Sequence, residues 1–477
     1  MKFGHFVNFA YLRVVKAKTS AINFFYYIMN TPKIFVALTV GLLHFSANAY
    51  AQTGWTLQQC LDHAAEHNIQ LQKSRISQQD AQEQVKQYQA ALFPTLSASM
   101  SQNVGYRPFQ ESVGMVQNGI VSNTHSEVTE NGSYGLNASW TVWNGGINHK
   151  NIEAAKVQEK ITEVQAQQSL STIQEQIAQL YVQVLYTTEA KHVNEKILET
   201  AKQQLERGQE RYKVGDLAKA DVAQLESQVA SAEYDVVNAE TQITGFKRQL
   251  KELLQLGIGE TFDVAESEMA DSRALDPVPD KVEVYNAALN IRPEIQAAKL
   301  QADAANLQLD IAKRGYLPTI GVSAGIGTSH YFAEGQDSYG KQLKHNLNGS
   351  VGFNVSVPIL DNRRNKTNVN RAKLNKLTTA LDLQDKQTAL GSTIENLWLQ
   401  ATSSQQRFQS AQAAVKSQET NYELINEQFK AGLKNIVDLL QARDNLLQAQ
   451  QNRLQSKYTT ILNTQLLKFY EGGVLTI

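Results

Sequence analysis

Cysteine, proline and net charge are all scarce in this sequence, and each shortage excludes a class of protein. The one cysteine, Cys60, cannot form an internal disulfide, and the "TLQQ" before it lacks the small residues that precede a lipid-anchored cysteine. A formal net charge of −1 over 477 residues gives no basic surface for nucleic acid. With only eight prolines, long stretches rich in Gln and Ala stay uninterrupted, which is typical of long helices with polar faces.

The apolar run near the start of the chain, Ile34–Leu43, is too short to cross a bilayer as a helix. It follows a lysine and precedes small residues, as in an export signal that would be cleaved after Ala49 or Ala51. A signal peptide over residues 1–51 is longer than usual, whereas one that begins at Met29 has ordinary length. We therefore expect an exported chain without a lipid anchor. Met29 is the hypothesised start, and N-terminal sequencing of the precursor tests it against Met1.

Several distant stretches of the sequence match in pairs and in the same order. "ALFPTLSAS" parallels "GYLPTIGVSAG", "LNASWTVWNGG" parallels "FNVSVPILDNR", and "RYKVGDLAKAD" parallels "QFKAGLKNIVD". The glycines of the last pair, Gly215 and Gly432, are as far apart as Trp140 and Val357. We interpret the chain as a tandem duplication.

Each half contains two stretches in which apolar residues alternate with small or polar ones. Val351, Phe353 and Val355 illustrate the pattern, which is typical of a strand with one apolar face. Such strands of about 9–11 residues can cross a membrane when tilted. Pro94 and Pro318 each end a helix and open a strand, where a missing N–H does least harm. We expect strand hairpins at about 94–144 and 318–361, with polar loops at about 106–133 and 329–347.

The helical stretches are unusually long. Two proline-free stretches, from about Asn148 to Lys213 and from about Arg364 to Lys430, would each be roughly 100 Å long. Return helices are expected from about Ala218 to Leu256 and from about Val282 to Tyr316. The predicted organisation is a signal peptide (1–51), a first repeat (52–256, turn at 215), a waist linker (257–280) and a second repeat (281–472, turn at 432).

The predicted strand hairpins determine how the chain could be placed in a membrane. A hairpin returns the chain to the side it left, so all helices lie on one side of the four strands and the polar loops on the other. Four strands cannot close a barrel, and an open sheet edge is not tolerated in lipid. A spanning barrel needs about eight strands or more. The chain is therefore expected to share a barrel with copies of itself, and geometry alone leaves two, three or four copies open.

The duplicated plan, the two strand-opening prolines and the paired turns "RYKVGDLAKAD" and "QFKAGLKNIVD" resemble the TolC-type outer-membrane efflux protein family. The resemblance covers residues 52–472. It implies all-α coiled-coil helices combined with a four-strand share of a trimeric 12-stranded barrel, and a helical tunnel in the periplasm. It also implies a passive exit duct without enzyme activity or cofactor. An inner-membrane pump and a periplasmic adaptor would supply energy and coupling.

The resemblance also marks the residues at the far ends of the helices. The two turns would form the tunnel mouth and the adaptor-docking surface, through Gly215, Asp216, Leu217, Gly432, Leu433 and Lys434. Asp221 and Asp438 follow their glycines at the same distance and would line the entrance, where a ring of three Asp438 carboxylates attracts cations. Gln441 stands where some members carry a second acid, so cation block should be weaker here.

Two local alternatives stay open for these acids. Each lies early in a helix, and stabilisation of the helix N-terminus could be its only role. Lys434 could instead pair with Asp221 of the neighbouring hairpin and hold the mouth closed. One exposed pair contributes about 0–1 kcal/mol, so a latch would need several pairs.

Two rival functions remain from the sequence. His63-Ala64-Ala65-Glu66-His67 fits the H-x-x-E-H pattern of some zinc peptidases, but the sequence shows neither a third ligand nor a globular domain around it. A soluble periplasmic coiled-coil scaffold or adaptor would explain the helices but not the four strands. The exported cargo is not specified by any feature of the sequence.

Overall fold

The computed structural model describes residues 54–106, 108–109, 113–117, 120–124, 128–265, 270–332 and 337–476. The expected export signal lies outside these residues. The elements of the first half are α1 (Leu57–His67), α2 (Ile69–Ala90), β1 (Thr95–Tyr106), β2 (Val113–Gln117), β3 (Ile120–Thr124), β4 (Val128–Trp143), α3 (Ile147–Lys213) and α4 (Lys219–Leu254). After a 3₁₀ turn (Asp271–Leu275), the second half contains α5 (Lys281–Ile291), α6 (Pro293–Arg314), β5 (Thr319–Phe332), α7 (Tyr339–His345), β6 (Asn348–Ser356), α8 (Arg364–Lys430) and α9 (Ile436–Tyr470).

The sheet joins the two halves of the chain. Its strand order is β1-β4-β5-β6, all neighbours are antiparallel, and β2 pairs with β3 in a separate hairpin. Leu136 of β4 lies opposite Ile326 of β5, and Val322 of β5 lies opposite Phe353 of β6. Apolar side chains of neighbouring strands therefore share one face. The alternation predicted from the sequence is confirmed.

The helices keep the order of the strands to which they connect. α2 leads into β1, α3 leaves β4, α6 leads into β5, and α8 leaves β6. Accordingly α2 packs on α3, α3 on α6, and α6 on α8, while α4 returns along α3 and α9 along α8. The result is an open arc with two flanks, one formed by α2 and β1 and the other by α8 and β6, and no further strand among the described residues pairs with β1 or β6.

Both helices that lead into strands are broken, which the sequence analysis did not predict. The expected helix from Val282 to Tyr316 is interrupted at Arg292, because Pro293 starts a new helix and removes a hydrogen-bond donor. In the first half the break falls at Asn68, whose side chain caps α2. Asn68 and Arg292 are as far apart as Pro94 and Pro318, so the duplication preserves the break.

The expected polar loops also contain regular structure. The loop predicted at 106–133 holds the β2–β3 hairpin and the first residues of β4, and the loop predicted at 329–347 holds the end of β5 and the short α7. Three of the four sheet strands exceed the expected 9–11 residues, with 12, 16 and 14 residues in β1, β4 and β5. Polar residues such as Ser and Asn continue the strands here, because the ladder hydrogen bonds are made by the backbone, whichever side chains the residues carry.

The largest apolar core lies at the waist, where α1 meets the middle of α3, the end of α4 and parts of α8 and α9. Cys60, Ile177, Leu250 and Phe408 are fully buried there. Burial raises the pKa of the Cys60 thiol to about 12, so this cysteine is an unreactive core residue. Among the described residues, no helix is both long and apolar enough to cross a bilayer.

Candidate functional site: the two interhelical turns

The turns that join α3 to α4 and α8 to α9 have the same backbone conformation. Gly215 and Gly432 have φ angles of +80° and +74°, the left-handed conformation predicted from the sequence. In both turns the glycine N–H donates to the carbonyl three residues back, and the next N–H donates to the carbonyl five residues back. This pattern is a Schellman motif. A Cβ added at either glycine meets nothing within 4 Å, so the φ angle, not crowding, requires glycine.

Asp221 and Asp438 both occupy the third position of the helix that follows their turn, but they cap it differently. The Asp221 carboxylate accepts the N–H of Ala218 at 3.3 Å. The backbone N–H of Asp438 instead donates to the side chain of Asn435 at 2.9 Å. Each turn therefore holds one half of a capping box. The Asp438 carboxylate is not used in its own cap and is available for other contacts.

Lys434 lies beside that carboxylate. Its Nζ is 3.6 Å from Oδ2 of Asp438 in the same chain, and both side chains are about two-fifths exposed, at 40% and 38%. An exposed pair of this kind contributes about 0–1 kcal/mol. The alternative contact of Lys434 with Asp221 of the neighbouring hairpin would have to exchange with this pair. Gln441, one turn further on, donates to Asn445 at 3.0 Å.

The tip of the helix pairs exposes apolar side chains. Val214, Leu433 and Val437 are 79%, 76% and 58% exposed. Leu217, by contrast, packs against a small core beneath the turns. The buried members of that core are Leu225, Ile436, Leu439 and Leu440. Of the residues predicted from the sequence, Leu433 therefore projects outward, whereas Leu217 holds the two turns on a common base.

Arg211 links the two turns and was missed in the sequence. Its Nε lies 2.7 Å from Oδ2 of Asp216, and its Nη1 donates to the carbonyl of Phe429 at 3.4 Å. The guanidinium also lies 5.4 Å from the centroid of the Phe429 ring. The sequence signal was a basic residue in the last turn of a helix, but the partner is 218 positions away. The first turn is thereby fixed to the second.

The helix-to-strand junctions lie at the other end of the helices. Pro94 and Pro318 stand immediately before β1 and β5, as predicted. Trp140 of β4 fixes the first junction, because its Nε1 donates to the carbonyl of Leu92 at 2.8 Å. The prolines are therefore far from the turns and share no site with them.

The H-x-x-E-H motif lies on α1 at the waist. The rings of His63 and His67 stack with their centroids 4.1 Å apart. In the part of the chain that the structure describes, no group of three or more His, Cys, Asp or Glu could hold a metal ion. These residues thus provide no ligand set of the zinc-peptidase kind.

Known proteins resemble this chain over nearly its whole length. Outer membrane protein TolC of Salmonella enteritidis is 25% identical over 450 residues, covering 92% of this chain and 85% of the relative. Cation efflux system protein CusC of Escherichia coli O157:H7 is 21% identical over 460 residues, covering 93% of each. The crystal structure of CusC has a TM-score of 0.73 at 17% identity, covering 90% of this chain and 95% of that one. The Campylobacter jejuni CmeC outer membrane channel has a TM-score of 0.71 at 20% identity, covering 88% and 86%.

A family model agrees with these likenesses. The model described as outer membrane efflux protein matches residues 60–255 and 284–473, one segment in each half of the duplicated chain. Members of this family are outer-membrane efflux channels and not enzymes. Since the two segments make up most of the sequence and the fold agrees with solved channels, the chain belongs to the outer membrane efflux protein family.

Proposed function

We propose that three copies of this chain form an outer-membrane exit duct that an inner-membrane pump energises through a periplasmic adaptor. The observation that carries the proposal is the open arc, in which four strands continue into four helices and neither flank is closed. The proposed organisation is two structural repeats, 52–256 and 281–472, that meet at a waist linker, 257–280. The helices would form a periplasmic tunnel below a shared barrel.

The apolar face of the sheet supports a position in lipid. Leu96, Met100 and Phe353 on this face are 76%, 73% and 69% exposed. Exposed aromatic residues flank the apolar band at both ends, as in the girdles of outer-membrane barrels. They are Phe93, Trp140, Trp143 and Tyr316 near the helices, and Tyr106 and Phe332 near the loops. A soluble scaffold, the alternative function, would leave this face in water.

The two flanks of the arc are complementary in direction. β1 and α2 run toward the loops, whereas β6 and α8 run away from them. Placing β6 of one copy beside β1 of the next therefore continues the antiparallel alternation of the sheet. The helices alternate in the same way. Repetition of the chain closes the sheet without an open edge, as lipid requires.

Exposed apolar side chains on the flanking helices mark where two copies would meet. Leu374, Leu377 and Leu381 of α8 are 63%, 62% and 66% exposed, and Ile76 of α2 is 63% exposed. These leucines lie about 15 to 26 Å from the sheet end of α8, and Ile76 lies about 21 Å from the sheet end of α2. The residues are thus at matching depths. Family resemblance favours three copies, and hence a 12-stranded barrel.

Disulfide cross-linking tests the assembly. Ile76→Cys with Leu377→Cys should form a disulfide only between copies, because α3 and α6 separate α2 from α8 within one chain. Native Cys60 is fully buried and should not compete. We expect an oxidised ladder that ends at three chains. Tyr234→Cys with Leu377→Cys is the control and should give no ladder, since Tyr234 lies on α4 and not on the flanking helix α2. A ladder that ends at two chains, or none, would contradict the trimer.

The tip formed by the two turns suits a docking partner. Gly215, Asp216, Gly432, Leu433 and Lys434 present an exposed apolar and charged surface at the periplasmic end, and Leu217 holds it in place. The exposed leucine and its valine neighbours would be covered by the adaptor. Leu433→Asp should weaken capture of the cognate adaptor by the purified channel. Tyr234→Asp should not, because Tyr234 is an exposed residue of α4 that lies about 22 Å along the helix from the turn.

The entrance would be lined by Asp221, Asp438 and Gln441. Three Asp438 carboxylates around an axis would attract cations, and the adjacent Lys434 would offset part of their charge. Asp221 is tied to its own helix by the Ala218 N–H, so it would contribute less to the entrance than Asp438.

A further inference from the structure

The start of α8 carries a run of positive charge that the channel function does not use. No acidic residue occurs between Asp361 and Asp382. The basic residues between them are all exposed and form no ion pair with another described residue; they are Arg363, Arg364, Lys366, Arg371, Lys373 and Lys376. Cations at a helix N-terminus oppose the helix dipole. So many unpaired cations at the unfavourable end of a helix point to an anionic partner.

This stretch begins at the depth of the aromatic residues that flank the apolar sheet face near the helices. The side chain of Asn365 donates to the carbonyl of Gly315 at 2.8 Å, and the residue after Gly315 is Tyr316, one of those exposed aromatics. Lys366 follows Asn365 and therefore lies at the same depth. Lys373 lies about 10 Å further from the sheet. Side chains of a helix lean toward its N-terminus, which is the membrane end of α8, so both lysines lean toward the lipid boundary.

Two of these cations lie on the outer side of the proposed tunnel. Lys366 and Lys373 are seven residues apart, which is about two helical turns, so they share one face of α8. Gly391 follows Lys373 by about five turns and lies on the same face. The Tyr285 ring of α5 packs over Gly391, since a Cβ added there would lie 3.4 Å from it. This assignment rests on the proposed function, because a duct must keep its bore open and α5 must therefore lie outside.

The duplication repeats this arrangement on α3. With the separation of the two turn glycines as the offset, His149 and Lys156 correspond to Lys366 and Lys373. Both α3 residues are exposed. Lys156 precedes Tyr181 by about seven turns, and the Tyr181 hydroxyl donates to the chain just before α1 at 3.2 Å, so Lys156 lies on the side that carries the waist helices. The other basic residues at the start of α8 have no basic counterpart in α3. Only the outer pair is repeated.

A neighbouring copy offers little negative charge at this depth. α2 would lie beside α8 in the assembly, and its two acidic residues are Asp80 and Glu83. Glu83 pairs with Lys86 at 2.7 Å, and Asp80 accepts a hydrogen bond from Gln84 at 3.0 Å. Both acids lie about 10 Å or more from the sheet end of α2, whereas Lys366 lies in the first turn of α8. The next copy therefore cannot offset the charge nearest the membrane.

We propose that Lys156, Lys366 and Lys373 form a basic collar around the tunnel that binds the phosphate groups of anionic phospholipids in the inner leaflet of the outer membrane. The apolar sheet face, the aromatic residues and the basic collar follow one another along the outer side of the chain. Acyl chains, interface and charged headgroups follow in the same order in a leaflet. Lysine suits this position, because its alkyl stem packs along the helix while its ammonium reaches the headgroups.

Native mass spectrometry of the purified full-length assembly with added lipid tests the proposal. Phosphatidylglycerol is the anionic probe, and phosphatidylcholine with the same acyl chains is the reference without net charge. We expect wild-type protein to bind phosphatidylglycerol more tightly, and this preference should shrink as the ionic strength rises, because salt screens the charges. Lys366→Gln with Lys373→Gln should lower the preference by roughly ten-fold or more.

The matched control is Arg364→Gln with Arg371→Gln, which removes the same charge from the same turns of α8 but from a different face, and which should keep the preference. Equal affinities of wild type for the two lipids, or an equal loss of preference in both double variants, would contradict the proposal. A lysine variant that separates into single chains and keeps the preference would assign the lysines to contacts between copies. The spectra also count the chains, so a trimer without lipid preference refutes the basic collar alone, whereas another number of chains contradicts the proposed assembly.

Discussion

Replacing Arg292 with methionine would remove a buried charge from between two carboxylates at the waist. The Arg292 side chain is 8% exposed, and it lies 3.0 Å from Oε1 of Glu175 and 2.9 Å from Oε1 of Glu294. Its guanidinium carbon is 4.0 Å from the centroid of the Tyr470 ring. This one side chain thus fixes the break between α5 and α6 to both α3 and α9.

The loss of stability follows from the carboxylates that the substitution leaves without a partner. Removing one partner of a buried ion pair destabilises by about 3–5 kcal/mol, because the remaining charge has no partner. At about 1.4 kcal/mol per factor of ten, opening of the waist should become roughly a hundred-fold to a few thousand-fold more frequent. Adding Glu175→Gln should recover part of this loss, since it removes one of the unpaired carboxylates.

Hydrogen exchange of backbone amides in α5 and α6 measures this opening in the folded channel. Arg211→Met is the matched control, because Arg211 also combines an ion pair with an aromatic contact, but its partner Asp216 is 63% exposed. Arg211→Met should destabilise the turn beside Arg211 by no more than about 1 kcal/mol. An Arg292→Met effect below ten-fold, or no recovery in the double variant, would refute the reasoning.

Acid should act on the same cluster with a defined sign. Burial raises the pKa of Glu175, although Arg292 opposes the shift. A carboxyl whose pKa is raised in the folded state contributes stability below its ordinary pKa and loses it as the pH rises through the folded value. Amide exchange near the break should therefore slow when the pH falls from 7 toward 5, after correction for intrinsic exchange. The pH dependence of amide exchange should steepen in the Arg292→Met variant. It should disappear when Glu175→Gln is also present.

Three further predictions concern the turns. Gly432→Ala should destabilise its turn by about 1–2 kcal/mol, because alanine is strained at φ +74°, and Gly432→Asn should cost less; hydrogen exchange at the tip compares them. Lys434→Ala should increase cation selectivity, measured as reversal potential in a salt gradient, since it leaves Asp438 uncompensated; an unchanged potential would place this pair outside the pore. Gln441→Asp should strengthen block by millimolar divalent cations in planar bilayers, and equal block in both proteins would show that residue 441 does not face the path.

The order and the lengths of the main helices and strands were predictable, because their sequence signals are local and occur in both halves of the chain. The helix expected from Arg364 to Lys430 has those limits in the structure, since no proline interrupts it and Gly432 ends it. The breaks at Asn68 and Arg292 were missed although both carry local signals, an N-cap side chain and a following proline. The apolar spacing continues across each break, and this periodicity concealed them.

The candidate site was predictable only in part. The turn glycines follow from backbone chemistry, and both have the expected positive φ. The partners of charged residues depend on how distant helices meet, so the link from Arg211 to Phe429 could not be read from spacing. The pair formed by Lys434 and Asp438 has helical spacing and could have been found. The partner suggested by the sequence was instead Asp221 of the neighbouring hairpin.

Single-channel recording tests the central claim most directly. Purified, detergent-extracted protein in planar bilayers should show a small, steady, cation-selective conductance that millimolar divalent cations partly block. Asp438→Asn should relieve the block and lower the selectivity. If the inserted protein conducts no ions, and a variant that lacks both turns stays equally silent, the chain does not form a duct.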